Sequence, residues 1–221
     1  MAIKPILFNT EMVRAILDGR KTCTRRIAKG FIPDDALWGY TAFTPKGYIS
    51  CRGVYADGYG EGFYKLPYQP GDILYVRETW QYLYELDGNE QVLEDTGKYY
   101  YAATDTIPFD TYVDENGVTH DHAPWRPSIH MPKEAARIWL KVTNVRVERL
   151  QDITSEQIYR EGTEVEAPFV LNGEEKRYAF SVLWNSTIKK SDLDRYGWDA
   201  NPYVFVIEFV KIDKPEEIQN A

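Results

Sequence analysis

The chain has 221 residues, of which 43% are hydrophobic and 27% charged, a composition typical of a folded globular protein and not of a disordered one. Its formal net charge of −8, from 26 basic and 34 acidic residues, excludes a strongly basic nucleic-acid coat protein. No segment has the roughly 20 apolar residues that a membrane helix requires. Residues 1–5 lack the apolar core of a signal peptide, so we expect a cytoplasmic protein that does not bind membranes.

The first predicted elements are a short strand at residues 6–8 and a helix capped by Asn9 or Thr10. Gly19 supplies the left-handed residue that ends this helix. The apolar face of the helix consists of Met12, Val13, Ile16 and Leu17.

A basic run follows the helix, within a region whose charge differs from that of the rest. Residues 1–30 carry seven basic and two acidic groups, whereas the remaining residues are acidic overall. A focal basic patch on an acidic body suits a small anionic ligand or a localised contact with a phosphate backbone. Pairing of these side chains with the acidic surplus is the alternative interpretation.

Two segments show no sustained periodicity. Residues 30–68 are rich in Gly, Pro and Tyr and predict loops with short hairpins, for example around residues 45–47. A Pro-Gly-Asp turn then leads into a strand at residues 73–77. Residues 82–125 predict a second insertion with one hairpin and a turn at residues 115–117, and they leave the tyrosine run 99–101 without an obvious partner.

The clearest strand covers residues 138–150. Its apolar alternation slips by one residue at Thr143 and Asn144, which predicts a bulge. Thr154 and Gln157 have the spacing of a capping box and predict a short helix that Gly162 ends.

The chain closes with a helix over about residues 178–184 and a strand at residues 203–210. That strand is apolar on both faces, which predicts a central position in a sheet. Because there is no repeat and no linker, we expect a single domain, 1–221, with insertions at about 30–68 and 82–125.

Four segments in matching order carry a resemblance to a known family. Residues 19–26, Gly-Arg-Lys-Thr-Cys-Thr-Arg-Arg, resemble the G-x-K-x-x-[ET]-x-R signature of ASCH domains, which belong to the PUA-like superfamily. The other three are the turn and strand of 69–74, the long strand and short helix of 142–161, and the closing strand of 203–209.

Two further stretches, 125–132 and 198–202, are similar to longer members encoded by phages and prophages. The resemblance implies an α+β fold: a PUA-like, mostly closed mixed β-barrel with flanking short helices and the two insertions. It also implies a cleft near the lysine of the signature, in which members bind RNA or nucleotides. One bacterial branch is an amidohydrolase that removes the acetyl group of N4-acetylcytidine, and its catalytic Lys, Thr and Glu correspond to Lys21, Thr24 and Glu161.

The chemistry of that branch sets requirements on these three residues. Lys21 and Thr24 are three residues apart, so in a turn or at the start of a helix their side chains can face one another. The Thr24 hydroxyl becomes a nucleophile only when a base takes its proton. Glu161 would orient Lys21 or assist the leaving amine. The structural alternative is a Lys21–Glu161 ion pair that closes the barrel, with Thr24 as a local cap.

Six further residues are candidate ligand contacts. Guanidinium groups suit phosphate, although a solvated or carboxylate-paired surface is an equal alternative. A tryptophan at the end of a strand can stack a base but more often belongs to the core. The candidates are Arg20, Arg25, Arg26, Glu78, Trp80 and His130.

A metal site is not expected. His120 and His122 have ligand-like spacing, but their Gly- and Asp-rich insertion offers no further convincing ligand. The two cysteines, Cys23 and Cys51, cannot form a disulfide framework or a four-cysteine zinc site. We therefore expect no cofactor.

Three functional hypotheses follow. The first is recognition of RNA, a nucleotide or a modified nucleoside in a cleft around Lys21, Thr24, Arg26 and Glu161. The second is hydrolysis of the N4-acyl amide of a cytidine derivative. The third is a phage accessory protein that binds a host protein through its insertions. RNA binding predicts a salt-sensitive affinity, whereas a protein partner would leave the cleft dispensable.

Overall fold

The computed structural model of the protein describes residues 2–86, 92–107, 112–113, 118–120, 124–163 and 173–216. Within these residues the fold is α+β, with more residues in strands than in helices, which confirms the predicted class. The helices are α1 (Thr10–Leu17), α2 (Ser155–Arg160), α3 (Gly173–Ser186) and α4 (Leu193–Tyr196). The strands are β1 (Ile3–Leu7), β2 (Cys23–Ile27), β3 (Leu37–Gly39), β4 (Tyr48–Tyr55), β5 (Gly58–Lys65), β6 (Ile73–Arg77), β7 (Trp80–Leu86), β8 (Val92–Tyr101), β9 (Tyr112–Val113), β10 (Thr119–His120), β11 (Trp139–Arg149) and β12 (Tyr203–Ile212).

The chain divides into two compact units. The first comprises Met1–Ala2, Gly19–Ile73 and Lys141–Val210. The second comprises Ile3–Asp18, Leu74–Leu140 and Lys211–Ala221.

Five strands form one sheet, in the order β1-β6-β11-β12-β2. β12 has an interior position, as its two apolar faces predict, and Val204 to Ile207 are buried along it. Because the order ends at β1 and β2, the described strands form an open sheet and not the mostly closed barrel that the ASCH resemblance implies. Closure would require hydrogen bonds between these two end strands.

Helix α1 begins and ends where its sequence predicts. The Asn9 side chain accepts a hydrogen bond from the Met12 backbone N–H at 2.9 Å, and Gly19 has φ +76° after the last turn. Val13 and Ile16 of the predicted apolar face are buried. Local cap chemistry and amphipathic spacing therefore suffice to define this element.

β11 and α2 also agree with their sequence signals. Val142 and Val145 are buried on either side of two exposed residues, so the inward-facing pattern shifts by one position at the predicted place. Thr154 and Gln157 form the capping box at the start of α2, and Gly162 has φ +80° at its end.

A hydrophobic core of the first unit lies between α2, α3 and β12. It brings together residues from three separate parts of the chain, and it packs α2 beside the first residues of β12. Its buried members are Leu150, Ile153, Ile158, Phe180, Trp184, Val204 and Val206.

The first insertion is more regular than its sequence predicts. Residues 30–68 contain a three-stranded antiparallel sheet of order β3-β4-β5 in place of loops with short hairpins. Residues 45–47 lie in the connection between β3 and β4, and β4 pairs with β5 along all eight residues. Strand β5 is not predicted from its sequence because it contains several glycines, which have low β propensity. A β-carbon at Gly62 would lie 2.6 Å from the Tyr55 hydroxyl, so a larger residue there would require the Tyr55 side chain to move.

For the second insertion one hairpin was predicted, whereas its described residues include two antiparallel strand pairs, β7 with β8 and β9 with β10. The tyrosine run 99–101 pairs with residues 80–82, so it has the partner that the sequence did not reveal. Strand β7 begins at Trp80, before the predicted start of the insertion at residue 82, which is why no partner was predicted for these tyrosines. The predicted turn at 115–117 lies outside the described residues.

Candidate functional site

Lys21 and Glu161 form an ion pair inside the first unit. Both are buried, with 3% and 5% of their surface exposed. The Lys21 ammonium Nζ donates to Glu161 Oε2 at 2.8 Å and to the Glu161 backbone oxygen at 2.7 Å. The structure thus joins two residues, 140 positions apart, that the ASCH resemblance associates, through the ion pair that the structural alternative predicted.

Helix ends position both partners. Glu161 is the C-terminal cap of α2, and the Thr22 backbone N–H donates to the Arg160 carbonyl oxygen at 2.9 Å. This hydrogen bond attaches the signature segment to the last turn of α2. The Lys21 ammonium therefore lies at the negative end of a helix, where a cation is favoured.

The position of Thr24 differs from the turn or helix start that the sequence spacing suggested. It lies in strand β2 and not in a turn or at the start of a helix, so a helical three-residue spacing does not bring it to Lys21. Its hydroxyl Oγ1 accepts a hydrogen bond from Arg26 Nη1 at 2.7 Å. Residues two apart in a strand lie on the same face, which explains this contact.

Arg25 is fully enclosed and bridges two carboxylates. Its Nη1 donates to Glu161 Oε1 at 2.9 Å, and its Nη2 donates to Glu148 Oε1 at 2.5 Å. The same Nη2 lies 3.1 Å from Gln157 Oε1. Arg25 is therefore paired with carboxylates, which was the alternative to phosphate binding for the arginines of the signature.

The ion pairs continue beyond the residues named from the sequence. Arg146 donates through Nε to Glu148 Oε2 at 3.1 Å and through Nη1 to Glu208 Oε1 at 2.6 Å. Arg160 lies 3.7 Å from the same Glu208 oxygen. Arg146 and Glu148 occupy alternate positions of β11 between valines, and this charged face of a core strand is the signal that could have found them.

We call this set the Lys21 cluster. The ion pairs of its described residues join four cationic side chains to three carboxylates. Its members are Lys21, Arg25, Arg146, Arg160, Glu148, Glu161 and Glu208, and Arg26 lies beside it on β2.

Burial shapes the electrostatics of the cluster. It lowers the pKa of the Arg26 guanidinium below its ordinary value, against the opposing influence of Tyr68 and Glu161. It also raises the pKa of the adjacent Cys23 thiol from 9.0 to about 12, and the negative charge of Glu161 adds to this shift. A half-buried cationic group such as Arg26 favours an anion nearby.

Arg20 has a different environment. Its Nη1 donates to the Gly162 backbone oxygen at 3.3 Å, just beyond the end of α2. The candidate ligand residues of the signature therefore all lie in the first unit, beside α2 or along β2.

Glu78, Trp80 and His130 belong to the second unit. Glu78 is 1% exposed and receives two hydrogen bonds from Arg137, at 3.0 and 2.9 Å. Trp80 is 5% exposed and belongs to the core, which was the favoured alternative for it. His130 is exposed at the end of the short 3-10 turn Ser128–His130.

Metal and membrane sites were searched over the same described ranges. No group of three or more His, Cys, Asp or Glu side chains in them could hold a metal ion, and the predicted pair member His122 lies outside these ranges. The described helices include none of the length and apolar character needed to cross a membrane. In comparisons with known proteins, no family model, no curated protein and no solved structure matches this chain.

Proposed function

We propose that the chain binds an RNA, a nucleotide or a modified nucleoside at the Lys21 cluster, with Lys21, Thr24 and Arg26 as its ligand contacts. The observation that carries this proposal is the concentration of cationic side chains, with Lys21 and Arg25 buried among them, in one unit of an acidic protein. The ASCH resemblance of residues 19–26, whose family has a PUA-like fold, supports the same ligand class.

The physical argument concerns concentrated positive charge. Removing a cation from water is costly unless an anion or hydrogen-bond acceptors replace the water. Several cationic side chains lie together here in a chain whose net charge is −8. Such a focal basic patch attracts the phosphate group of a nucleotide, and a guanidinium fork such as that of Arg26 matches its geometry.

Titration with two probes tests this proposal: cytidine 5′-monophosphate and a short single-stranded RNA, each at low and high salt. We expect Arg26→Gln to weaken binding about tenfold, because a hydrogen bond between charged groups is lost. Lys190→Gln, an exposed cation of the same unit, is the matched control and leaves the affinity unchanged. Absence of binding of both probes to the wild-type protein would refute the proposal.

A second candidate function is hydrolysis of an N4-acylated cytidine. The observation that favours it is the burial of Lys21, Thr24 and Glu161 together in one unit. Thr24 Oγ1 would bond to the acyl carbon while the bond from this carbon to N4 breaks. The departing amino group takes up the hydroxyl proton, and water then hydrolyses the acyl-threonine ester to release the carboxylic acid.

Incubation with N4-acetylcytidine, with cytidine release followed by chromatography, tests the second function. We expect Lys21→Ala and Thr24→Val to abolish release. Thr22→Val, a neighbouring threonine whose hydroxyl accepts from Arg160, is the matched control and retains it. If the wild type releases no cytidine, hydrolysis is excluded. If it also binds neither probe, the remaining hypothesis is a host-protein partner.

A further inference from the structure

The Glu161 carboxylate is fixed through both of its oxygens. Oε2 accepts from Lys21 at 2.8 Å, and Oε1 accepts from Arg25 at 2.9 Å. The carboxylate cannot rotate without weakening one of these charged hydrogen bonds. The orientation of Arg25 therefore determines which oxygen is presented to Lys21.

Arg25 is itself fixed from the other side by the Glu148 carboxylate and by the neutral side-chain oxygen of Gln157. Glu148 Oε1 accepts from Arg25 Nη2, while Glu148 Oε2 accepts from Arg146 Nε. Arg146 is held in turn by Glu208. Positive and negative groups thus alternate from Lys21 to Glu208. Glu161 and Glu148 each accept from two cations through separate carboxylate oxygens.

We infer that Glu148 is a positioning residue for the proposed binding site. It holds one nitrogen of Arg25, so that Arg25 offers its other nitrogen to Glu161 Oε1 and leaves Oε2 to Lys21. This inference rests on the proposed function, because the position of the Lys21 ammonium affects a ligand only if Lys21 contacts it. Glu148 lies in β11, outside the signature at residues 19–26.

Loss of the Glu148 charge leaves Arg25 Nη2 with only neutral acceptors, among them Gln157 Oε1, which hold a guanidinium less strongly than a carboxylate does. The planar guanidinium can then take both oxygens of Glu161 in a two-pronged pair, which is the favoured geometry for an arginine and a carboxylate. Such a pair competes with Lys21 for Oε2. The Lys21 ammonium would shift, although neither Lys21 nor Glu161 has been changed.

The test compares Glu148→Gln with Glu156→Gln, an exposed glutamate of α2 that is matched in chemistry and lies outside the Lys21 cluster. One readout is the nitrogen-15 NMR signal of the Lys21 ammonium, assigned by its loss in Lys21→Met. The other is the affinity for cytidine 5′-monophosphate. We expect Glu148→Gln to shift the signal and to weaken binding about tenfold, and Glu156→Gln to change neither.

The two readouts separate the inference from the proposed function. An unchanged Lys21 signal in a folded Glu148→Gln protein overturns the positioning role, whatever the affinity. A shifted signal, with no binding of either cytidine 5′-monophosphate or the short RNA by the wild type, supports the positioning of Lys21 and refutes the proposed function. If Glu148→Gln does not fold, Glu148→Asp takes its place, because it keeps the charge but withdraws the carboxylate from Arg25, and the same outcomes decide.

Discussion

Gln157 connects the cap of helix α2 to Arg25. Its side-chain oxygen accepts from the Thr154 backbone N–H at 2.8 Å and lies 3.1 Å from Arg25 Nη2. A local helix signal and a contact across 132 residues of chain therefore use the same atom. We therefore expect the N-terminal cap of α2 and the ion pairs of Arg25 to be energetically coupled through this oxygen.

This coupling predicts unequal effects at the two ends of the capping box. Thr154→Ala should lower the free energy of unfolding by about 1 kcal/mol, the usual effect of losing an N-terminal cap. Gln157→Ala should lower it by about 2–3 kcal/mol, because Arg25 also loses an acceptor in a buried site. Urea denaturation measures both, and Thr154→Ser serves as the control that keeps the cap. Equal losses for Thr154→Ala and Gln157→Ala would contradict the coupling.

Removal of the Lys21 ammonium should destabilise the protein strongly. Lys21→Met keeps the length of the side chain but leaves the Glu161 carboxylate short of one partner in a buried environment. Breaking a buried ion pair in this way costs about 3–5 kcal/mol. Denaturant titration should show this loss, whereas the exposed control Lys190→Met should stay within about 0.5 kcal/mol of the wild type. If Lys21→Met loses no more stability than Lys190→Met, the Lys21–Glu161 ion pair contributes little to the free energy of unfolding.

The two cysteines should be unreactive in the folded protein. Burial raises the pKa of Cys23 to about 12, with a further contribution from Glu161, and it also raises the pKa of Cys51. The thiolate is the reactive form, so alkylation by iodoacetamide at pH 8 should be slow until urea unfolds the chain. Mass spectrometry counts the modified thiols. Rapid labelling of either cysteine without denaturant would be inconsistent with the buried positions.

The raised pKa of Cys23 also predicts a loss of stability in alkaline solution. The folded state binds this proton more tightly than the unfolded state, so the contribution is present below the ordinary thiol pKa of 9.0 and is lost as the pH rises from 9 towards 12. Unfolding curves between pH 8 and about pH 11 measure the loss. Cys23→Ala should show a smaller decrease over this range, and an identical decrease would rule out the contribution of Cys23.

Glu208 should contribute in the opposite direction, in acid. Burial alone would raise its pKa, but the hydrogen bond and charge of Arg146, together with the charge of Arg160, hold it below the ordinary 4.5. The folded state therefore favours the carboxylate, and its contribution is present above pH 4.5 and lost as the pH falls below it. Glu208→Gln should be less stable than the wild type at neutral pH, and the difference should shrink in acid. A difference independent of pH would argue against an ionised Glu208 in the native state.

The elements that were predicted from the sequence are those whose signals are local. Asn9 and Gly19 define the ends of α1, and Thr154 and Gly162 define those of α2, because caps and left-handed residues act within one turn. The central position of β12 was also predicted, since a strand with two apolar faces must be covered on both sides. The strand β5 was missed because its glycines interrupt the alternation that would reveal it.

Identifying the candidate site required both the sequence and the tertiary structure. The sequence itself indicated Lys21, Thr24 and Glu161 through the resemblance of a short segment, and it concentrated basic residues near them. Only the tertiary structure decided that Thr24 lies in a strand, that Arg25 bridges Glu148 and Glu161, and that the sheet is open. These contacts join residues more than 120 positions apart. No local pattern encodes them, because the partner of a buried charge is chosen by the packing of helices and strands that bring the two together.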